Sequence, residues 1–203
     1  MNQSHLTYLA SPEWAQALRT DLLPWLVETA DLGDDVLEIG PGPGLTTDLL
    51  LPLTARVTAI EIDLRLATEL GARLQGTHAE IIHGDATNVD LPADRFSAAT
   101  CFSMLHHMDS PQAQDRLLAR LHHVLRPGAA LLGIDSVDGE MIRQAHIDDT
   151  YVPVDPATFG RRLHRAGFTG ATVTRPNEYQ FRFSARKPAS QASVPQSTLG
   201  RRP

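Results

Sequence analysis

Three acids and three glycines stand at spacings that can hold a small polar ligand. Glu38 lies in the apolar run Val36-Leu37-Glu38-Ile39, and Gly40, Gly42 and Gly44 follow at alternate positions. A buried strand that runs into a glycine loop and then a helix is the opening of a nucleotide-type site. Glycine allows positive φ and a close backbone approach, and the helix N-terminus offers unpaired N–H groups. About 20 residues past the loop, Glu61 and Asp63 close a second apolar run, where an acid can accept from ribose hydroxyls. Both point to the same side of a strand. Glu61 directly follows the strand core, whereas Asp63 stands where it would cap the helix beginning at Leu64. Asp85 follows a third short run, after Gly84.

A second group of residues can move protons. His106 and His107 follow a fourth apolar run, and as neighbours they point different ways, so at most one is expected to face a pocket. His146 and Tyr151 sit in the segment from Asp135 to Asp155, which is long for a connection in a compact domain and so reads as functional. His122-His123 are adjacent on a helix, and His146 with Asp148 and Asp149 has no zinc spacing, so no metal is expected.

The elements that must position these residues alternate. Strands are predicted at Val36–Ile39, Arg56–Ile60, Glu80–His83, Phe96–Ser103 and Ala129–Ile134. Helices are predicted between them from the recurrence of Leu66, Leu70 and Leu74 and of Leu117, Leu118, Leu121, Val124 and Leu125. Ser11-Pro12, Ser110-Pro111 and Asp155-Pro156 are helix starts, and Gly167 is a helix stop. Pro24 inside the first helical run predicts a kink or two helices. The end of the chain breaks the alternation: Thr172–Thr174 and Tyr179–Ser184 flank a Pro176-Asn177 turn, a hairpin whose last strand is antiparallel. The expected fold is an α/β Rossmann-like three-layer sandwich with a seven-stranded, mostly parallel sheet and an antiparallel last strand. Residues 1–31 form a helical cap, 32–187 the main domain, and 188–203 a disordered Ser/Gln/Pro/Ala tail. Within the cap, Tyr8 and Leu9 either staple the first helix or fold over the ligand.

Composition narrows the class. The chain of 203 residues carries a net charge of −6, which argues against a basic nucleic-acid-binding face. No apolar run reaches membrane-spanning length, no basic and apolar leader opens the chain, and a single cysteine, Cys101, suits a reducing compartment. A cytoplasmic location is expected.

Five ordered motifs then assemble: Glu-x-Gly-x-Gly-x-Gly, the acid after strand two, Gly84-Asp85-Ala86, Leu105-His106-His107 after strand four, and Leu125-Arg126-Pro127-Gly128 before strand five. This resembles the class I S-adenosylmethionine-dependent methyltransferases, in particular the small-molecule, quinone-biosynthesis-type branch, over about Leu32 to Lys187. The resemblance implies S-adenosylmethionine as methyl donor, S-adenosylhomocysteine as product and a small-molecule acceptor. By it, Glu38 and the Gly40, Gly42 and Gly44 loop face the methionine end, Glu61 the ribose, and Asp85 and the Ala86 amide the adenine. Ile62 packs on the adenine face or in the core, and Phe102 and Ser103 border the methyl. His106, His107, His146 and Tyr151 are the candidate catalytic groups, each with a plain packing role as its alternative. Two other classes share parts of the pattern. A NAD(P)-dependent oxidoreductase would use Gly-x-Gly-x-x-Gly in place of Gly-x-Gly-x-Gly. An RNA adenine methyltransferase, which Ala59-Ile60-Glu61-Ile62-Asp63 resembles, would carry an amine-gripping element where Phe102-Ser103-Met104-Leu105 stands.

Overall fold

A computed structural model describes residues 2–190. The strands are β1 (Asp35–Ile39), β2 (Arg56–Glu61), β3 (Ala79–His83), β4 (Phe96–Phe102), β5 (Leu125–Ser136), β6 (Thr169–Thr174) and β7 (Gln180–Arg186). They form one seven-stranded sheet in the order β3-β2-β1-β4-β5-β7-β6. The pairs from β3 to β5 are parallel, and β7 runs antiparallel to both β5 and β6. The order reverses between β1 and β4, so their carboxyl ends open a crevice. That crevice holds the site.

Side-chain alternation sends two apolar clusters to opposite faces of the sheet. Leu37, Ile39, Ala99, Cys101 and Leu131 join one cluster, with Leu117, Leu121, Phe159 and Leu163 from α6 (Pro111–Val124) and α8 (Pro156–Arg165). Val36, Ala98, Phe102, Leu132 and Ile134 join the other. It is completed by Leu49 and Leu50 from α4 (Leu45–Leu50) and by Trp14, Leu18, Leu22 and Leu26 from the N-terminal helices. Central strands buried on both faces need such continuous apolar sequence. Asp63 caps α5 (Leu64–Arg73) by accepting from the Arg65 and Leu66 amides, and the Ser11, Ser110 and Asp155 side chains each cap a helix start.

The structure sharpens several local features of the sequence reading. The run around Pro24 is divided as its proline implied: α2 (Pro12–Ala17) and α3 (Leu23–Thr29) are two α-helices joined by a π-helical stretch, Leu18–Leu22. The wider turn, in which the Leu23 amide reaches the Leu18 carbonyl, relieves the clash that a proline ring makes in an α-helix. β5 also begins earlier than Arg126-Pro127-Gly128 implies: Leu125 pairs with Phe96 before the register shifts, and Gly128 takes φ +82° to absorb the irregularity. Within residues 1–31 a helix not individually predicted, α1 (Gln3–Leu9), precedes α2, and α7 (Glu140–Ala145) occupies the long segment after β5. The predicted tail at 188–203 lies outside the described residues from 191 onward. Among the described residues no helix is long and apolar enough to cross a membrane.

Candidate active site

The glycine loop is shaped for its place. Gly40, Gly42 and Gly44 all have positive φ, and a Cβ at Gly44 would run into Leu70 and the Arg73 guanidinium. At Gly42 a Cβ would meet nothing, because that side of the loop opens on a cavity of about 520 Å³. The loop amides are not aimed at a ligand as the sequence implied. Gly40 N–H donates to the Ile60 carbonyl, Gly42 N–H to Glu61 Oε2 and Gly44 N–H to the Pro41 carbonyl. The amides of Leu45, Thr46 and Thr47, in the first turn of α4, have no intrahelical acceptor and remain the loop's donors.

Glu61 is buried at the end of β2 and lines this cavity. Its Oε2 accepts from Gly42 N–H at 2.9 Å and its Oε1 from Asp63 N–H at 2.9 Å. One carboxylate thus ties the glycine loop to the end of β2 and keeps further lone pairs toward the cavity. Asp85 also lines the cavity, with its oxygens held by Thr87 N–H and Oγ1 and by Asn88 Nδ2. Ile62, 70% exposed, and Ala86 line the same wall. An isoleucine this exposed is not serving the core.

Glu38 is placed differently from its expected direct contact. It is fully buried, outside the cavity lining, and both its oxygens accept hydroxyls: Oε1 from Thr46 and Oε2 from Thr47 at 2.6 Å. Burial pushes its carboxyl up to about 7, against the lowering effect of the two hydroxyls. Thr46 lines the cavity in front of it. Glu38 therefore sits behind the first turn of α4 and holds it onto β1.

At the other end of the crevice lies a second cavity of about 580 Å³. Leu9, Trp14 and Ser103 line both cavities, so the two meet at the end of β4. Ser103 has φ +53°, a left-handed conformation that costs an L-residue about 1 kcal/mol. Phe102 lines the first cavity beside it. The roof is the N-terminal cap: Tyr8 and Leu9 fold over the crevice, with the Tyr8 ring 5.5 Å from Trp14, rather than only stapling a helix. Arg182 on β7 anchors this roof, pairing with Asp21 at 2.5 Å and lying 5.4 Å from the Trp25 ring. The opposite wall is α7 and its end, through Met141, Ile142, Ala145 and His146.

The four candidate catalytic side chains gather near this junction. A 3-10 turn, Leu105–His107, carries the first two, and the Val152 amide and Gln114 side chain bind its carbonyls to the 150–152 strand of chain. His106 and His146 ring centroids are 4.9 Å apart, His107 and His146 5.0 Å, and His146 and Tyr151 4.7 Å. His107 lines the first cavity and His146 the second, while His106 is buried beneath, with Nδ1 2.5 Å from Asp135 Oδ1. Burial lowers the His146 pKa. Tyr151 donates to Asp138 Oδ1 at 3.3 Å, lines neither cavity, and is pushed up to about 12, chiefly by burial. A phenol so placed stays protonated near neutrality and is set apart from both cavities.

Trp14, Asp21 and Arg182 went unread as site residues because each acts across the fold from elements far apart in the chain. The one available signal was the alternation of Tyr179 to Ser184, which puts Arg182 on the face opposite Phe181 and Phe183.

Comparison with known proteins agrees with this geometry. Residues 36–128 match the methyltransferase domain family. A solved SAM-dependent methyltransferase from Aquifex aeolicus superposes with a TM-score of 0.72 at 20% identity, over 92% of this chain and 99% of that one. Over residues 36–128 the chain is thus similar to that family, and it shares the fold of a solved S-adenosylmethionine-dependent methyltransferase. Curated relatives include the dimethyladenosine transferase of Schizosaccharomyces pombe, 35% identical over 124 residues, 52% of this chain and 40% of that protein. They also include a probable ribosomal RNA small subunit methyltransferase A from Thermococcus onnurineus, 46% identical over 74 residues, 36% of this chain and 27% of that protein. The chain thus spans less than half the length of either curated relative. The quinone-biosynthesis-type branch finds no counterpart in these matches.

Proposed function

We propose that this domain transfers the methyl group of S-adenosylmethionine to a small-molecule acceptor, with the donor in the first cavity and the acceptor in the second. The observation that carries the reading is the meeting of the two cavities at Ser103, beneath Leu9 and Trp14. Methyl transfer from a sulfonium is an in-line displacement, so seating donor and acceptor on one axis supplies much of the acceleration. In this reading Glu61 accepts from the ribose hydroxyls and Asp85 and Ala86 recognise the adenine. The start of α4, held by Glu38, receives the methionine carboxylate at its free amides. Ile62 covers the adenine face, and Phe102 and Ser103 border the methyl. His107 and His146 flank the junction and are the side chains placed to orient an acceptor or take its proton. Residues 1–31 serve as the roof and 32–187 as the catalytic domain.

A second reading, methylation of an RNA adenine, is favoured by the names of the curated relatives. Against it stand the roofed second cavity, the sequence Phe102-Ser103-Met104-Leu105 after β4 and the net charge of −6. The test is an acceptor screen with labelled S-adenosylmethionine that includes small thiols, phenols, amines and ribosomal RNA. Label entering small molecules supports the proposal; label entering RNA alone replaces it with the second reading. Binding of NADH without either sulfur ligand would overturn both.

A further inference from the structure

We propose that His106, His107 and His146 form a three-histidine site for a divalent transition metal at the junction of the two cavities. One ring nitrogen from each lies within 4.8 Å of those of the other two. In each ring Nδ1 is engaged by an oxygen: His106 by Asp135 Oδ1 at 2.5 Å, His107 by the Thr150 carbonyl at 3.2 Å, and His146 by the Ile142 carbonyl at 2.6 Å. A carbonyl only accepts, so His107 and His146 carry their proton on Nδ1 and present Nε2 with its lone pair. The Nε2 atoms of all three are shielded from solvent, and that of His106, a side chain 1% exposed, has no hydrogen-bond partner. A buried, lone-pair-bearing nitrogen without a donor is costly unless something fills the position.

The surroundings fit a cation. Metal-binding histidines characteristically donate their other N–H to a carboxylate or carbonyl, which is the arrangement at all three rings. Asp135 is fully buried and fixed by the Leu105 and Ser136 amides besides His106, and the Asp149 carboxylate lies 3.8 Å from His107 Nδ1. Two carboxylates behind the ligands balance a 2+ ion. Nitrogens at about 2.0–2.1 Å from a tetrahedral ion stand roughly 3.3 Å apart, so the rings need close only modestly. Spacing along the chain concealed the group, because it joins a two-histidine turn to a loop beyond β5. The proposal departs from the expectation of no metal drawn from sequence spacing.

Imidazole suits zinc, cobalt, nickel, copper and iron, and three ligands among the described residues leave a position for a substrate atom, as in catalytic rather than structural sites. Resting on the methyl-transfer reading, the acceptor class follows: a compound whose methylated atom binds such an ion, a thiol, phenol or alcohol. The acceptor X–H releases its proton to bulk water, and metal-held X gives an electron pair to the methyl carbon. The C–S pair returns to sulfur, leaving X–CH3 and S-adenosylhomocysteine.

The test uses the full chain, stripped with a chelator and titrated with Zn2+ against a chromogenic competitor, then with Co2+ followed by visible absorption. One ion per chain and tetrahedral Co2+ bands are expected, with His107→Gln and His146→Gln each weakening Zn2+ at least tenfold and surface His164→Ala leaving it unchanged. Bands that shift on adding a small thiol support the open position. Circular dichroism separates lost binding from lost folding. Absent stoichiometric binding to the folded wild-type chain, or binding unaltered in both folded glutamine variants, overturns the site. S-adenosylmethionine binding is measured in parallel: retained without zinc binding, it leaves the methyl-transfer reading standing.

Discussion

The two ends of the crevice are built by different means. The donor end draws on Glu38 to Ala86, consecutive strand-end loops of one half of the sheet. Its acids are already fixed in place by protein donors, Glu38 by two threonine hydroxyls and Glu61 by two amides. The proposed acceptor end draws on the N-terminal helices, the turn after β4, α7 and β7, joined by long-range contacts such as Arg182 to Asp21 and Asn2 to Asp149. The first is a rigid, locally encoded cradle. The second is an assembly whose shape depends on the relative placement of distant pieces, as one expects where substrates vary on a common fold.

The largest difference should appear in how pH acts on the donor end. Burial holds the Glu38 carboxyl at about 7, above its ordinary value of 4.5. Between these limits the folded chain keeps a proton that the unfolded chain has lost. The stability this group contributes is therefore fully present below about pH 4.5 and is lost as pH rises to about 7, by roughly 3 kcal/mol. Glu38→Gln should flatten that part of a denaturant-unfolding profile against pH. A wild-type profile with no slope removed by the substitution would show that Glu38 is ionised in its pocket.

Next in size, Glu61→Ala leaves the Gly42 and Asp63 amides without acceptors and should weaken S-adenosylmethionine by about 10- to 100-fold in calorimetry, in keeping with about 1–3 kcal/mol for lost partners. Glu61→Gln, which keeps one acceptor, should fall between. Equal, small losses in both would mean the loop holds its shape without this tie.

The acceptor end should answer more mildly. Ser103→Gly removes the left-handed strain and should raise stability by about 0.5–1 kcal/mol in thermal unfolding while lowering turnover. A gain in both would remove Ser103 from the positioning of the methyl. Asp21→Ala breaks a pair whose acid is largely exposed, so stability should change by less than about 1 kcal/mol. Acceptor KM should rise severalfold with S-adenosylmethionine affinity constant. A matching loss of donor affinity would show the roof to be shared in function as well as in contact.

This contrast also explains what could be read in advance. Period-2 and period-3.6 patterns, caps at Ser11, Asp63, Ser110 and Asp155, and the Pro176-Asn177 turn are local rules, and the sheet and its antiparallel last strand followed from them. Glu61, Asp85 and Ile62 line the cavity at the strand ends, where open α/β sheets bind ligands and where the sequence reading looked for them. The glycine amides were misread because their acceptors, the Ile60 carbonyl and Glu61, lie on a neighbouring strand whose register no local pattern reveals. Glu38 was read one layer too close to the cavity for the same reason: Thr46 and Thr47 reach it only once α4 lies over β1. The approach of His106, His107 and His146 was invisible, since it depends on the path of the chain from β5 back to the turn after β4.

The division of labour between the two ends is tested most directly by calorimetric titration of S-adenosylmethionine into three proteins: wild type, Glu61→Ala and His146→Ala. The account predicts one site in the wild-type chain, at least tenfold weaker binding in Glu61→Ala, and affinity within about twofold of wild type in His146→Ala. Absence of binding in the wild-type chain, or equal weakening by the two substitutions, would contradict it.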